Sequence, residues 1–386
     1  MTLFGGATAV AVRFRQPLLQ NEGRAEKLAV MRLPLQTPWR ASRLAGWSLQ
    51  RSFSAAPSPR ASPETLAAAV IGGDRVALGR AITLVESTRP VDRTFSEALL
   101  AALPPPPASR PFRLGLCGPP GVGKSTLVES LGCHLTSLGH RVAVLAVDPS
   151  SSLSGGSILG DKTRMLRLSN DPSAFVRPSP TRGVLGGLAR RTEEALLLCE
   201  AAGYDVCLLE TVGVGQSEIA VTALVDMTAM LVAPAGGDGL QGIKRGLLEL
   251  ADVVLVNKAD GELLPIARST LSDYLSALSL FRPKFSAWQR KAMLCSGLEG
   301  GESVAEFWEV AQEFAKVTHG SGELVEHRRK QRLEWLWSAA ADSLVEETKR
   351  QHPEAVGQIE RAVADEEILA AVGSARLARL LGGGDA

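Results

Sequence analysis

The cysteines and histidines of this 386-residue chain are few and form none of the spaced clusters that metal sites use. Its five cysteines (Cys117, Cys133, Cys199, Cys207 and Cys295) are scattered, with no C-x-x-C pair. They read as reduced thiols in or near a core. The five histidines make no spaced pair on one helix face. These gaps leave a structural zinc site or a nickel-handling centre without support. No apolar run reaches the ~18 residues that suggest a membrane-spanning helix. A basic surplus is also missing from most of the chain. The net charge is +1, but residues 61–386 hold 33 basic and 39 acidic side chains. An acidic body argues against nucleic-acid binding through bulk charge. Neither a membrane nor a nucleic acid is expected as a partner.

The positive charge is concentrated at the start. Residues 1–60 carry nine Lys/Arg against only Glu22 and Glu26. An Arg-rich, Ser-containing, nearly acid-free leader has the composition of a mitochondrial transit peptide, with a disordered extension as the alternative. Removal is expected near Arg51-Ser52-Phe53-Ser54. Residues 61–111 read as a helical arm and a Pro-rich linker, with Leu66, Val70, Val76, Ile82 and Leu84 at helical spacing within 63–90 and a stiff linker at Pro104 to Pro107. From 112 to 319, strand-like runs alternate with helical patterns. The strands are expected at 113–117, 141–147, 205–210, 227–233, 252–257 and 291–295. Such alternation predicts an α/β fold with a mostly parallel sheet flanked by helices. Residues 320–386 read as helical, with apolar stripes at Leu333, Leu336, Trp337, Ala340 and Leu344, and at Ile359, Val363, Ile368 and Leu369. These stripes fit packing on the body or a dimer contact, and packing is the simpler default.

The strongest local signal is Gly118-Pro119-Pro120-Gly121-Val122-Gly123-Lys124-Ser125-Thr126. It fits G-x-x-x-x-G-K-[ST] and lies between an apolar strand and a helical pattern, as in a P-loop NTPase. The glycines admit phosphate close to the backbone, and successive N–H groups with the helix N-terminus favour the anion. Lys124 is expected on the β- and γ-phosphates and Ser125 on Mg²⁺.

Further signals fall just after expected strands, where ligands bind in such sheets. Asn257-Lys258-Ala259-Asp260 fits N-K-x-D about 130 residues beyond the loop. Asp260 can accept two hydrogen bonds from a guanine edge, which adenine cannot supply. Asn257 is expected to tie this loop to the phosphate loop, and the stem of Lys258 to cover the base. Ser296-Gly297-Leu298 is a weaker base-contact candidate, almost equally well explained as a plain turn. Glu210-Thr211-Val212-Gly213 stands where GTPases carry D-x-x-G, with Glu210 toward the metal shell and Gly213 toward the γ-phosphate. Asp148 and Asp161 are further candidate metal-shell acids, set around a Gly/Ser-rich stretch able to order on a γ-phosphate. Val214 occupies the place where Ras-like enzymes put a water-orienting Gln, and Gln216 lies two residues on. Slow intrinsic hydrolysis is therefore expected.

Longer strings make the resemblance more specific. These are residues 144–151 (VLAVDPSS), 155–165 (GGSILGDKTRM), 177–183 (RPSPTRG), 210–218 (ETVGVGQSE) and 240–246 (LQGIKRG). By these the chain resembles the MeaB/ArgK family of G proteins over about residues 63–386. The resemblance implies a Mg²⁺-dependent GTPase that binds GTP and GDP. It implies a chaperone gating adenosylcobalamin loading and protection of methylmalonyl-CoA mutase, in the mitochondrial matrix when the leader is a transit peptide. It also implies a homodimer held by the 320–386 helices. Lys124, Asp148, Asp161 and Glu210 become the catalytic set, with Ser125, Asp148, Asp161 and Glu210 around the metal. Gln241 and Lys244 fall in a loop that couples nucleotide state to the mutase. Relatives usually read G-D-E-L-Q-G there, and this chain has Gly239 in place of the Glu. The rival readings are a nickel-delivery GTPase, which the missing Cys/His clusters oppose, a transport-associated ATPase or kinase, and a non-hydrolysing binding module. The N-K-x-D signal predicts that GTP stays bound when ATP is added at equal concentration. Displacement of GTP by ATP in that competition would rule out the guanine assignment.

Overall fold

The computed structural model describes residues 61–105, 110–148, 165–180, 185–211, 216–234 and 245–382, with only the backbone described at 148, 179–180, 185–189, 216–217 and 245. Three helices come first: α1 (Pro63–Ile71), α2 (Arg75–Val85) and α3 (Pro90–Ala101). Ser62 caps α1 by accepting from Thr65 N–H at 3.2 Å, with Pro63 in the first helical turn, where its missing N–H costs nothing. Asp74 caps α2 by accepting from the N–H groups of Val76 and Ala77. Helicity thus runs past the 63–90 stretch that the sequence marked. Within that stretch Leu78, Ala81 and Ile82 are buried, whereas Val76 is exposed.

The remaining elements alternate. They are β1 (Phe112–Cys117), α4 (Lys124–Ser137), β2 (Val142–Asp148), α5 (Leu166–Asn170), β3 (Ala174–Pro180), α6 (Leu185–Ala201), β4 (Val206–Thr211), α7 (Gln216–Thr222), β5 (Met227–Val232), α8 (Arg245–Leu250), β6 (Val253–Val256), α9 (Leu264–Leu278) and β7 (Lys291–Leu294). The helices α10 (Glu302–Gly320), α11 (Glu323–Gln351), α12 (Pro353–Ala364) and α13 (Ala370–Leu381) follow. The seven strands lie in the order β3-β2-β4-β1-β5-β6-β7 and every pairing is parallel. Six of them match expected strands to within a residue or so at each end. The seventh, β3, was not anticipated, because Pro178 and Pro180 deprive it of ladder donors and read against a strand. Its place explains the tolerance: β3 is an edge strand that pairs only with β2.

Alternate residues of the inner strands feed two different cores. Leu114, Leu116, Val144 and Leu208 pack with α4 and with Phe307 and Phe314 of α10. Leu145, Cys207 and Leu209 pack with α6 and with Leu78 and Ile82 of α2. The N-terminal helices therefore share a core with the sheet. At the far side Met230, Val232, Val254 and Val256 pack against α8 and α9. Among the described residues, no helix is long and apolar enough to cross a membrane.

The C-terminal stripes divide. Ile359 is buried with Val356 and Leu380 in a small core between α12 and α13. Leu333, Leu336, Trp337 and Leu344 of α11 stay exposed, Trp337 by 73%. The default of packing on the body does not hold for this stripe. Beside Leu324, which is buried in the core at the start of α11, charge docks the helix. Arg328 donates to both oxygens of the fully buried Asp226, whose Oδ2 also accepts from Arg113 N–H. Arg113 in turn donates to Glu200 and Glu193 of α6. Breaking a buried pair by removing one partner strands the other's charge. Asp226→Ala is expected to lower the unfolding free energy by about 3–5 kcal/mol in chemical denaturation.

Candidate functional site

The phosphate-loop residues gather at the carboxyl end of β1. Gly118 has φ of +144°, and a Cβ there would sit 2.3 Å from the carbonyl oxygen of Leu231. Only glycine fits that passage. Gly121 and Gly123 also take positive φ, and α4 begins at Lys124, so its free N–H groups face the loop. Val122 is buried, whereas Pro119, Pro120 and Thr126 are exposed. The Lys124 ammonium donates to the carbonyls of Gly118 (2.7 Å) and Pro119 (3.0 Å). Burial pushes its pKa below the ordinary range, and Glu210 and Glu218 oppose that shift. The Ser125 hydroxyl donates to Glu210 Oε1 at 2.6 Å.

The structure brings the base-side candidates onto this loop. Asn257, 2% exposed, donates through Nδ2 to Val122 O (2.8 Å) and accepts through Oδ1 from Gly297 N–H (3.0 Å). One side chain thus ties together the phosphate loop, the end of β6 and the turn after β7. Lys258 adopts φ of +60° and its ammonium donates to Gly121 O at 2.8 Å, laying its stem beside the loop. Asp260 accepts from the Ser296 hydroxyl at 2.5 Å, and Ala259 N–H donates to Cys295 O. The Ser-Gly turn is thereby fixed against the acid expected to read guanine. Gly297 is needed for a close approach: a Cβ would lie 3.0 Å from Leu127 N. Leu298 is 82% exposed and makes no comparable link.

On the metal side, Glu210 is buried at the end of β4, next to Ser125. Asp148 ends β2 in the neighbouring strand, and only its backbone is described. Asp161, Gly213, Val214, Gln241 and Lys244 lie outside the described residues. Among the described residues no group of three His, Cys, Asp or Glu could hold a metal. The pair Ser125 and Glu210 still suits Mg²⁺, a hard cation that takes oxygen ligands and is usually held by one or two carboxylates together with substrate phosphates and water.

Sequence reasoning assigned no role to Glu218. It lies in the first turn of α7, is 2% exposed, and accepts from Gly118 N–H at 3.1 Å. A carboxylate beneath the first loop glycine fixes the N–H that opens the cradle. Its trace in the sequence is its place as the last residue of the 210–218 string, which carried the resemblance without giving this acid a role.

Comparison with known proteins agrees with this geometry. A family model described as methylmalonyl-CoA mutase-associated GTPase MeaB matches residues 78–353. The chain is 52% identical over 281 residues to a probable GTPase of Mycobacterium tuberculosis, covering 73% of this chain and 83% of the relative. It is 48% identical over 299 residues to the mitochondrial methylmalonic aciduria type A homolog of Mus musculus, covering 75% and 72%. GTPase ArgK of Escherichia coli is 47% identical over 264 residues, covering 68% and 79%. A solved structure described as an LAO/AO transport system kinase superposes with a TM-score of 0.64 at 34% identity, covering 84% of this chain and 99% of its own.

The first two loop glycines make a discriminating pair. An alanine at Gly121 meets nothing within 4 Å and bears only the left-handed backbone cost of about 1–2 kcal/mol. An alanine at Gly118 meets a backbone carbonyl. In nucleotide titrations Gly118→Ala is expected to abolish GTP binding, and Gly121→Ala to weaken it about tenfold.

Proposed function

The chain belongs to the MeaB family of mutase-associated GTPases, and from that premise we propose that it is a Mg²⁺-dependent switch acting on methylmalonyl-CoA mutase. It binds GTP and GDP and hydrolyses GTP. The reading beyond hydrolysis is carried by the 48% identity to the mouse mitochondrial methylmalonic aciduria type A homolog.

In hydrolysis, a water oxygen bonds to the γ-phosphorus as the bond to the β–γ bridging oxygen breaks, giving GDP and phosphate. Lys124 leaves the carbonyls of Gly118 and Pro119 to meet the β- and γ-phosphates. Ser125 and Glu210, with Asp148 and Asp161, hold Mg²⁺, which when bound supplies positive charge to the phosphate oxygens. Gly213 donates its N–H to the γ-phosphate. Asp260, oriented by Ser296, accepts from the guanine edge, and Asn257 keeps base loop and phosphate loop in register. With Val214 in place of a water-orienting Gln, the isolated protein hydrolyses GTP slowly.

On the partner, the protein gates loading and protection of the adenosylcobalamin cofactor. Gln241 and Lys244 couple the nucleotide state to the mutase, and the two states do so only through different affinities for it. The exposed α11 stripe of Leu333, Leu336, Trp337 and Leu344 forms the contact of a homodimer. Residues 1–60 direct the protein to the mitochondrial matrix, residues 61–111 and 112–319 form the helical arm with its linker and the GTPase domain, and residues 320–386 form the dimerisation region.

The test is co-purification with methylmalonyl-CoA mutase in the GDP state and with a non-hydrolysable GTP analogue, together with cofactor-loading assays. Different retention in the two states and nucleotide-dependent loading are expected. Equal retention in both states, with unchanged loading, would remove the chaperone role and leave the GTPase.

A further inference from the structure

The phosphate loop lies at one end of β1. At the other end Arg110, two residues before the strand, is half-buried between α6, α10 and α11. An inner cavity of about 160 Å³ and an outer groove of about 530 Å³ share Arg110, Arg328 and Arg332 on their walls. We propose that this end of the sheet carries a second site, centred on Arg110 and Arg332, for a small molecule bearing a phosphate or pyrophosphate group.

Most charged groups of the inner cavity already have partners. Arg113 and Arg328 bind Glu193, Glu200 and Asp226 at 2.5–2.7 Å. Those three acids of the inner cavity are therefore engaged. The fourth, Glu334, is paired with Lys330 at 3.7 Å, one turn earlier on α11. Arg110 and Arg332 make no ion pair among the described residues. Both lie in the same cavity, and burial followed by repulsion from Arg332 lowers the pKa of Arg110. Trp335, on the same wall, has a buried indole N–H with no acceptor among the described residues.

The outer groove repeats the imbalance. Lys316 and His319 join the three arginines there, and among the described residues no acid lines it. Among the described residues donors therefore exceed acceptors in both cavity and groove, and the missing partner is an acceptor-rich anion. Two guanidinium groups in one cavity suit phosphate oxygens, which they bind through paired N–H donors. Phe112, Leu324 and Val325 line the groove and offer apolar contact to the rest of such a molecule.

The experiment must keep the phosphate loop filled. Inorganic pyrophosphate is titrated calorimetrically into the full chain preloaded with GDP and Mg²⁺. Saturable binding of one pyrophosphate per chain is expected, and Arg110→Ala and Arg332→Ala should each weaken it by at least about tenfold. Neither arginine has an ion-pair partner among the described residues, so both variants should melt like the parent. Trp335→Phe, which keeps a ring and removes the indole donor, should weaken binding by a smaller factor. The proposal is overturned if the GDP-loaded protein shows no saturable binding, or if either arginine variant binds as tightly as the parent.

Discussion

The site depends on how little room β1 has in the middle of the sheet. It runs between β4 and β5 with other atoms pressed against both faces. At Gly115 a Cβ would come within 3.0 Å of the Val225 side chain, and at Gly118 within 2.3 Å of Leu231 O. Because the strand cannot shift, its carboxyl end delivers the phosphate loop to one place. Glu218 then fixes Gly118 N–H from below, and Asn257 fixes Val122 O from the side. The loop is held by neighbouring elements as well as by its own glycines. This is the preorganisation that anion binding at a helix N-terminus needs.

Much of this was legible because it depends on local chemistry. A buried parallel strand shows as an unbroken apolar run, and six strands could be read that way. The phosphate loop and N-K-x-D are rigid enough to keep their spacing in any sequence that uses them. The link from Asn257 to Val122 follows from that motif logic, whereas its second link, to Gly297, comes from the structure. What escaped reading depends on tertiary placement. β3 is a strand because a free edge accepts its prolines, and nothing within residues 174–180 says where the edge lies. Glu218 is one acid among many until α7 sets it under Gly118. Leu298 adjoins two residues that do meet Asn257 and Asp260, yet is itself exposed. The α11 stripe has the same periodicity whether it is covered by the body or left outside.

Charge is distributed along β1 in a way that joins its two ends. Beneath the strand, Arg113 and Arg328 are matched by Glu193, Glu200 and Asp226, and this network anchors α11 to the sheet. Arg113 and Gly118 are only five residues apart on or beside the same strand. Neutralisation of the buried arginines leaves Arg110 and Arg332 as the surplus. At the upper end the acids Glu210 and Glu218 surround one lysine, an arrangement suited to cation and phosphate together.

The outer rims of the sheet have a further consequence, for solubility during synthesis and assembly. A bare strand edge can recruit another chain's backbone and start cross-chain growth. Here one rim is β3, where Pro178 and Pro180 offer no backbone hydrogens, and the other is β7, only four residues long, with Lys291 bound to Glu313. Neither rim is a good template for a foreign strand. Copies of this chain are thereby steered away from edge-to-edge polymerisation.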